Sequence, residues 1–269
     1  MSPGPEGHES GAALDPTARF SDRVDHYVRY RPDYPAGVLR ILEDEAGLTA
    51  HSIVADLGSG TGISAEMFLR HGNVVYGIEP NDAMRHAAER LLHHYPNFHS
   101  VHGRAEATTL ADASIDHVVA AQAFHWFDVP AARAEVQRIL KPGGWAVLLW
   151  NTRRTESTPF LHAFEALLLR FGTDYREVVH TKITASALEA FYGGRHFVKR
   201  TLEHRQELDL DGIRGRLLSS SYVPAPGHPE HLPMLSELDA IFATHERGGL
   251  VTVEYDTEVY FGRMGHTAA

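Results

Sequence analysis

The sequence has no cysteine among its 269 residues, which excludes disulfide bonds, thiolate zinc sites and cysteine nucleophiles. It also lacks any run of about 18 apolar residues, the length that a membrane-spanning helix requires. The first 17 residues carry neither the apolar central run of a secretory signal nor a periodic apolar pattern. We therefore expect a cytoplasmic protein in which residues 1–18 form a disordered tail.

Positively charged residues are also fewer than negatively charged ones. The sequence has 25 Lys and Arg residues and 35 Asp and Glu residues, which gives a net charge of −10. A surface of this sign repels a phosphate backbone, so a nucleic-acid partner is disfavoured. Residues 151–216 run against this trend, with 11 Lys and Arg against 9 Asp and Glu. The 19 histidines lack a convincing spacing with carboxylates, so no metal site is expected.

Buried strands alternate with helices through the middle of the chain, which predicts a doubly wound α/β fold with a mostly parallel sheet. Ligands bind such sheets at the carboxyl ends of the strands. The predicted strands are Ile53–Leu57, Val74–Ile78, 98–103, Ile115–Ala121 and 145–150, and the predicted helices are 35–46, Ile63–His71, 81–94 and 128–141.

After residue 151 the alternation stops. Helices are predicted at 158–169, at 212–219, at 230–246 and after a capping box that begins at Ser186. Strand-like alternation at 196–210 and 250–263 adds two strands at the far edge, giving seven in all. We interpret residues 19–150 as the core with its N-terminal cover, 151–249 as lid helices and an edge strand, and 250–263 as the last core strand.

A glycine-rich turn follows the first predicted strand, with glycines at 58, 60 and 62. They allow a tight turn and a close approach of a ligand to the main chain. A dinucleotide fingerprint would place its third glycine one residue later, and Asp56 would repel a pyrophosphate. A ligand with a cationic amino group and a sulfonium is favoured instead.

Glu79 closes the second predicted strand, 21 residues after Gly58. A carboxylate at about this distance accepts hydrogen bonds from both ribose hydroxyls of a bound nucleoside. The feature suits NAD as well as S-adenosylmethionine, so it predicts a nucleoside without choosing between them.

Five motifs along the chain together resemble those of class I S-adenosylmethionine-dependent methyltransferases, and most closely the type 11, trans-aconitate-methyltransferase-like subgroup. The resemblance covers residues 19–150, extends weakly to 251–262 and implies a Rossmann-like methyltransferase fold. The motifs are Asp56-Leu-Gly-Ser-Gly-Thr-Gly62, Gly77-Ile-Glu-Pro80, Gly103-Arg-Ala-Glu106, Ala121-Gln-Ala-Phe-His-Trp-Phe-Asp128 and Leu140-Lys-Pro-Gly-Gly144.

The resemblance implies a cofactor site for S-adenosylmethionine, with S-adenosylhomocysteine as product. Asp56 and the turn residues would hold the methionine part, and Glu79 the ribose. In the adenine motif Arg104 stands where the family has Asp, so the Ala105 amide is expected to remain, with Glu106 as a substitute. The other residues assigned to the cofactor are Gly58, Ser59, Gly60, Pro80, Met84, Gln122, Tyr30 and Arg31, with a surface pair between Arg31 and Asp33 as the alternative for that arginine.

Aromatic residues and His125 follow the fourth predicted strand, where a methyl acceptor would lie. His125 is either a general base, with an ordinary pKa of about 6.5, or a residue that shapes the pocket. Arg153 and Arg154 follow the fifth strand and either bind an anionic acceptor or solvate the lid. The full set assigned to the acceptor is Tyr27, Phe124, His125, Trp126, Arg153 and Arg154.

The sequence therefore predicts an enzyme that methylates oxygen or carbon of a small molecule. The chain lacks the Asn/Asp-Pro-Pro-aromatic motif that often accompanies methylation of amino groups on nucleobases or glutamine. The alternatives are a carboxylate O-methyltransferase of the trans-aconitate type and a module that binds S-adenosylmethionine without transfer. An NAD-dependent oxidoreductase is disfavoured by Asp56 and by the glycine spacing.

Overall fold

The computed structural model describes residues 29–173, 175, 184–194 and 196–264. The helices are α1 (Gly37–Ala46), α2 (Ile63–His71), α3 (Asp82–Leu92), α4 (Val129–Ile139), α5 (Pro159–Phe171), α6 (Ala185–Tyr192), α7 (Leu210–Leu218) and α8 (His231–His245). The strands are β1 (Ile53–Leu57), β2 (Val74–Ile78), β3 (Phe98–Val101), β4 (Ile115–Ala121), β5 (Leu140–Arg153), β6 (Phe197–Leu208) and β7 (Val251–Arg263).

The strands form one seven-stranded sheet in the order β3-β2-β1-β4-β5-β7-β6. The strands from β3 to β5 in this order pair in parallel, and β7 pairs antiparallel with both β5 and β6. The predicted fold class, mostly parallel and doubly wound, is therefore confirmed. The chain leaves β1 toward β2 and β3 and returns to β4 on the other side, which opens a crevice at the carboxyl ends of β1 and β4.

Alternate residues of the central strands face opposite sides of the sheet and bury two separate helix layers. Ala55 and Leu57 belong to an apolar cluster with α4 and α6, whereas Val54 packs in a second cluster with α1 and α2. Burial on both faces explains why these strands are apolar throughout instead of alternating with polar residues.

A third apolar cluster lies beyond the end of the parallel strands and joins α5, α7, α8 and the first half of β7. The sequence interpretation put α6 in the same lid. In the structure, Leu188, Phe191 and Tyr192 of α6 instead share a cluster with Val136 of α4, on the face of the sheet.

Side-chain caps fix where several helices begin. Asn81 Oδ1 accepts a hydrogen bond from the Met84 amide at 3.0 Å, and Thr158 Oγ1 accepts one from the Leu161 amide at 3.1 Å. The predicted capping box at Ser186 is wrong. Thr184 Oγ1 accepts from the Ala187 amide at 3.1 Å, so the helix begins one residue before Ser186.

The fifth strand begins earlier than its glycines suggested. It starts at Leu140, which pairs with Ile115, and the register then shifts before His117 pairs with Trp145. This irregularity places Pro142 and the two following glycines within the strand, where a bulge tolerates them. Across the described ranges, no helix is long and apolar enough to cross a membrane.

Candidate functional site

The glycine turn between β1 and α2 is clamped against the end of the neighbouring strand. The amides of Gly58 and Ser59 both donate to the Ile78 carbonyl, at 2.8 and 3.1 Å. Gly58 and Gly62 have positive φ angles of 67° and 90°, and a Cβ on either would lie 2.6 Å from a neighbouring carbon. Gly60 also has a positive φ, 56°, but the space where its Cβ would point is open. The turn therefore packs tightly at its two ends and leaves room at its centre.

Glu79 lies beside this turn, at the end of β2, with its side chain 8% exposed. Its Oε2 accepts a hydrogen bond from the Gly60 amide at 2.9 Å, and its Oε1 accepts one from the Asn81 amide at 2.8 Å. Burial raises the pKa of Glu79, and the two amides oppose that shift. A carboxylate oxygen has more than one acceptor position, so Glu79 keeps capacity for further donors.

Asp56 lies at the carboxyl end of β1 and is fully buried. Its Oδ2 accepts a hydrogen bond from the Ser64 hydroxyl at 2.6 Å, whereas its Oδ1 has no hydrogen-bond partner among the described residues. Burial raises the pKa of Asp56 to about 7; the Ser64 hydrogen bond opposes this shift, and the charge of Glu79 adds to it. A buried carboxylate oxygen that lacks a hydrogen-bond donor interacts favourably with a cationic donor.

The glycine turn forms one wall of a small cavity. The ends of β4 and β5 form its floor, through Gln122 and Asn151, and Tyr255 of β7 extends it sideways. Two guanidinium groups complete the lining, Arg31 from the segment before α1 and Arg216 from α7. The cavity lies where the strand order reverses, as expected for a doubly wound sheet.

Gln122 occupies a strained position on the cavity floor, with a φ of 57° that non-glycine residues rarely adopt. Its amide donates to the Leu149 carbonyl and its Nε2 donates to the Asn151 carbonyl, both at 3.0 Å. Its Oε1 is buried and, within the described ranges, lacks a hydrogen-bond partner. The Oε1 of Gln122 is therefore able to accept a hydrogen bond from a ligand.

Asn151 links three parts of the structure beneath the cavity, and the sequence analysis missed it. Its Nδ2 donates to the Asp33 carbonyl at 2.9 Å, and its Oδ1 accepts from the Thr257 hydroxyl at 2.6 Å. With the bond from Gln122, these contacts tie the segment before α1 to β4 and β7. The one available signal was an amide residue directly after the predicted fifth strand.

His125 lies in a short 3-10 helix, Phe124–Trp126, after β4. Its ring centroid is 4.5 Å from that of Trp126 and 5.1 Å from that of Trp150. Burial lowers the pKa of His125 to about 4, and the charge of Arg31 contributes to the shift. The ordinary pKa that the sequence analysis used is therefore wrong, and the imidazole is neutral at pH 7. Its Nδ1 is buried without a hydrogen-bond partner in the described part of the chain.

The two aromatic neighbours of His125 have different environments. Phe124 is 2% exposed and packs edge to face against Phe127 and Phe191, with centroids 5.9 and 5.0 Å away. Trp126 is 39% exposed. Phe124 therefore belongs to the core beneath the site, and Trp126 lies at the surface beside it.

Arg153 and Arg154 both pair with carboxylates. Arg153 Nη2 lies 2.5 Å from Glu165 and donates to the Tyr175 hydroxyl at 2.9 Å. Arg154 Nη2 donates to Asp256 at 2.7 Å and to Glu203 at 2.9 Å. Neither arginine lines the cavity described above.

The segment before α1 packs against α7. Arg31 Nη2 donates to the Ser219 carbonyl at 3.0 Å, and the Tyr30 ring lies so close to Gly215 that a Cβ there would be 2.1 Å from it. Asp33, the alternative partner considered for Arg31, has its Oδ1 3.1 Å from Nε2 of His204. Tyr27 lies outside the described residues.

None of the four residues assigned to the adenine lines the cavity described above. Met84 and Ala105 are each 4% exposed, and Pro80 is half-buried. Glu106 Oε1 accepts a hydrogen bond from the Asp128 amide at 2.8 Å, so it supports the start of α4.

Arg216 and Tyr255 also line the cavity, and the sequence analysis missed both. Arg216 is 9% exposed, and its Nε donates to the Tyr255 hydroxyl at 3.2 Å. They lie 39 positions apart in segments without a recognisable motif.

The known proteins that this chain resembles include several methyltransferases. Residues 55–148 match the Methyltransf_11 family model, a methyltransferase domain. An uncharacterised methyltransferase-like protein of Schizosaccharomyces pombe is 33% identical over 61% of this chain and 62% of its own length. An uncharacterised methyltransferase of the same yeast is 26% identical over 89% of this chain and 96% of its own length.

A solved structure from Anaeromyxobacter dehalogenans, described as a candidate type II methyltransferase, has the same fold. It superposes with a TM-score of 0.63 at 24% identity, over 88% of this chain and 99% of that one. Taken together, these similarities show that residues 55–148 resemble a methyltransferase domain and that the chain shares its fold with the solved structure. The chain spans less than two thirds of the first of these relatives, and the trans-aconitate-like subgroup stays a prediction.

Proposed function

We propose that the chain is an S-adenosylmethionine-dependent methyltransferase that transfers a methyl group to an oxygen or carbon atom of a small acceptor. The observation that carries most weight is the buried Asp56 Oδ1, which has no hydrogen-bond partner among the described residues. Asp56 and Glu79 would repel the pyrophosphate of a dinucleotide. They would attract the amino group and the sulfonium of S-adenosylmethionine.

The glycine turn and the carboxylates behind it fit this cofactor. Asp56 would accept from its amino group, and Glu79 would accept from the ribose hydroxyls. Gly58, Ser59 and the open space at Gly60 would admit its methionine part against the main chain. Pro80 and Met84 would flank the adenine, Ala105 and Glu106 would meet its edge, and Gln122, Tyr30 and Arg31 would complete the enclosure.

The cofactor supplies a methyl group that its sulfonium has already activated, so the protein's task is to position the acceptor and exclude water. The half-buried rings of His125 and Trp150 suit that task. His125 is neutral at pH 7 because burial and Arg31 lower its pKa to about 4. It is able to accept a proton from a hydroxyl or an activated carbon, but this low pKa makes it a weak base.

A carboxylate acceptor is the second candidate, and the lowered pKa of His125 favours it. A carboxylic acid is ionised at pH 7 and needs no base. A weakly basic imidazole is then sufficient, since its contribution is to shape the pocket.

Calorimetry with S-adenosylhomocysteine and with NAD tests the cofactor assignment. We expect binding of the first and negligible binding of the second. Glu79→Ala should weaken cofactor binding by about 1–3 kcal/mol, the usual scale for lost charge-assisted hydrogen bonds. The matched control is Glu66→Ala on α2, which removes a carboxylate paired with Arg70 on the surface. A preference for NAD would reject the assignment.

Methyl transfer is tested separately from binding. The protein with isotopically labelled S-adenosylmethionine is incubated with a library of small hydroxylic, carboxylic and carbon acids, and products are read by mass spectrometry. A labelled product is expected. Tight cofactor binding without transfer to any library member would favour a module that binds S-adenosylmethionine without catalysis.

A further inference from the structure

Two polar atoms of residues that line the cavity are buried and have no hydrogen-bond partner among the described residues. They are Oγ1 of Thr61, in the glycine turn, and Oε1 of Gln122, directly after β4. Thr61 as a whole is only 2% exposed. Because a buried polar atom without a partner lowers stability, a ligand that supplies both missing partners is favoured in this cavity.

The free atom of Gln122 is able only to accept a hydrogen bond. The Asn151 carbonyl also only accepts, so the end of the Gln122 amide that faces it must be the NH2 group, and Nε2 donates to that carbonyl at 3.0 Å. The backbone of Gln122 is strained as well, with a φ of 57°, and such strain is concentrated at functional sites. The ligand must therefore bring an N–H or O–H donor to Oε1.

The side of the cavity at Thr61 favours an anionic group. Helix α2 begins directly after Gly62, which has no side chain to cap it, and Ile63 and Ser64 of its first turn line the cavity. The amino end of a helix attracts negative charge through its dipole and its free amides. The hydroxyl of Thr61 is able to donate a hydrogen bond to the same anion.

These two requirements identify a part of the proposed cofactor. Glu79 and the residues assigned to the adenine do not line the cavity, so the nucleoside belongs outside it. The amino-acid end of the cofactor carries both an ammonium, which donates, and a carboxylate, which accepts. An amine alone would satisfy only Gln122, and a carboxylate alone would satisfy only Thr61.

We propose that Thr61 and Gln122 determine specificity for the amino-acid end of the cofactor. Gln122 Oε1 accepts a hydrogen bond from the amino group, and the Thr61 hydroxyl donates one to the carboxylate. The inference rests on the proposed function, which assigns Asp56 to the same amino group. An ammonium has three N–H donors, so it requires more than one acceptor.

A structural role for these side chains predicts different behaviour. If Thr61 and Gln122 bound only a buried water molecule, their replacement would change stability without discriminating between ligands. The measurement must therefore compare ligands that differ in one group, the amino group or the carboxylate.

The test measures binding to the full chain at pH 7.5 by calorimetry. The three ligands are S-adenosylhomocysteine, its analogue without the α-amino group and its analogue without the carboxylate. Gln122→Met removes the amide and keeps the length of the side chain, and Thr61→Val removes the hydroxyl and keeps its shape. Each variant should lose affinity only for ligands that carry the group it contacts.

Gln122→Met should therefore weaken S-adenosylhomocysteine and the analogue without the carboxylate about tenfold or more, the scale of a hydrogen bond to a charged group. It should leave the analogue without the amino group within about twofold of wild type. Thr61→Val should show the reverse pattern, weakening S-adenosylhomocysteine and the analogue that keeps the carboxylate. Thr61→Ser, which retains the hydroxyl, should restore most of the affinity.

The matched controls are Gln137→Met on α4 and Thr244→Val on α8, two residues that do not line the cavity. Both should leave all three Kd values within about twofold of wild type. If Gln122→Met does not fold by circular dichroism, Gln122→Asn replaces it. Asn tolerates a positive φ but withdraws the amide oxygen by one methylene, so the same pattern should appear with a severalfold loss.

Two results would overturn the inference while S-adenosylhomocysteine still binds to the wild-type protein. One is an equal loss of affinity for all three ligands in Gln122→Met or in Thr61→Val. The other is no change for any of them, which would assign these atoms to a bound water molecule or to the methyl acceptor. Failure of S-adenosylhomocysteine to bind to the wild-type protein would instead reject the proposed function.

Discussion

The two sides of the cavity are built differently. On the acidic side, behind the glycine turn that forms one wall, the buried carboxylates of Asp56 and Glu79 are held by main-chain amides and a serine hydroxyl, and neither carboxylate lines the cavity itself. On the other side, Arg31 and Arg216 lie where α7 ends, held by a carbonyl and by hydroxyls. The acidic side is part of the rigid sheet edge, whereas the basic side depends on the contact between the segment before α1 and α7.

The acidic side lowers the stability of the ligand-free protein, because a buried carboxylate without a full set of donors is energetically costly. The Oδ1 of Asp56 is such a group, since it has no hydrogen-bond partner among the described residues.

The largest expected effect comes from removing the charge of Asp56. The pKa of Asp56 is raised from 3.8 in the unfolded chain to about 7 in the folded protein. The folded protein then binds more protons between these values, so this group lowers stability as the pH rises from about 4 to 7. Asp56→Asn should therefore stabilise the ligand-free protein at pH 8 by as much as about 4 kcal/mol and much less at pH 4.

Urea unfolding at both pH values checks the Asp56→Asn prediction, with the exposed Asp44→Asn as control. The same variant should bind S-adenosylhomocysteine about 10- to 150-fold more weakly, the loss of one charged hydrogen bond. Equal stability of variant and wild type at pH 8 would contradict the account of the acidic side.

The second prediction concerns the pH dependence of cofactor binding. An amino group at Asp56 lowers the pKa of that carboxyl, so binding releases a proton when the free protein holds one. Affinity for S-adenosylhomocysteine should therefore fall by up to about tenfold per pH unit below pH 7 and level off above it. Calorimetry in buffers of different ionisation enthalpy counts the released proton. An affinity that is flat between pH 5.5 and 8 in the wild-type protein would place the amino group elsewhere.

The third prediction concerns His125, which follows β4 and lies against Trp126 and Trp150. If the acceptor is a carboxylate, His125→Ala should lower kcat at most about tenfold, since no proton has to leave. The kcat of the wild-type enzyme should be flat from pH 6 to 9, because an imidazole with a pKa of about 4 is already neutral there. A decrease in kcat of more than about a hundredfold in His125→Ala would instead indicate that His125 acts as a general base. The Kd of S-adenosylhomocysteine, measured beside kcat, should stay unchanged.

The two sides also differ in how much of them the sequence could predict. Asp56, the glycines and Glu79 come from two short motifs at the ends of consecutive strands, and local spacing is enough to bring them together. Arg216 and Tyr255 meet because β7, the last strand along the described residues, inserts between β5 and β6. No local sequence pattern predicts this strand order or the contact between Arg216 and Tyr255 that results from it.

Two smaller errors of the sequence-based predictions, the N-cap of α6 and the pKa of His125, also arise from contacts between residues distant in sequence. Thr184 and Ser186 are both good N-caps, and packing of Leu188 and Phe191 against the α4 layer accompanies the start that caps with Thr184. The pKa of His125 depended on Trp150 and Arg31, which are distant in sequence and bury or repel its charge. Tertiary contacts decided each case, and the sequence pattern alone was compatible with both outcomes.

The smallest expected effect is that of Arg154, which lies outside the cavity and pairs with carboxylates of the protein. Its partners Asp256 and Glu203 lie 102 and 49 positions away, so the sequence left open an anionic acceptor. Because those partners compensate its charge at the surface, Arg154→Ala should leave the Kd of S-adenosylhomocysteine within about twofold of wild type. The calorimetric measurement used for Glu79→Ala checks this. A tenfold loss of affinity for S-adenosylhomocysteine in Arg154→Ala would instead place this arginine at the cofactor site.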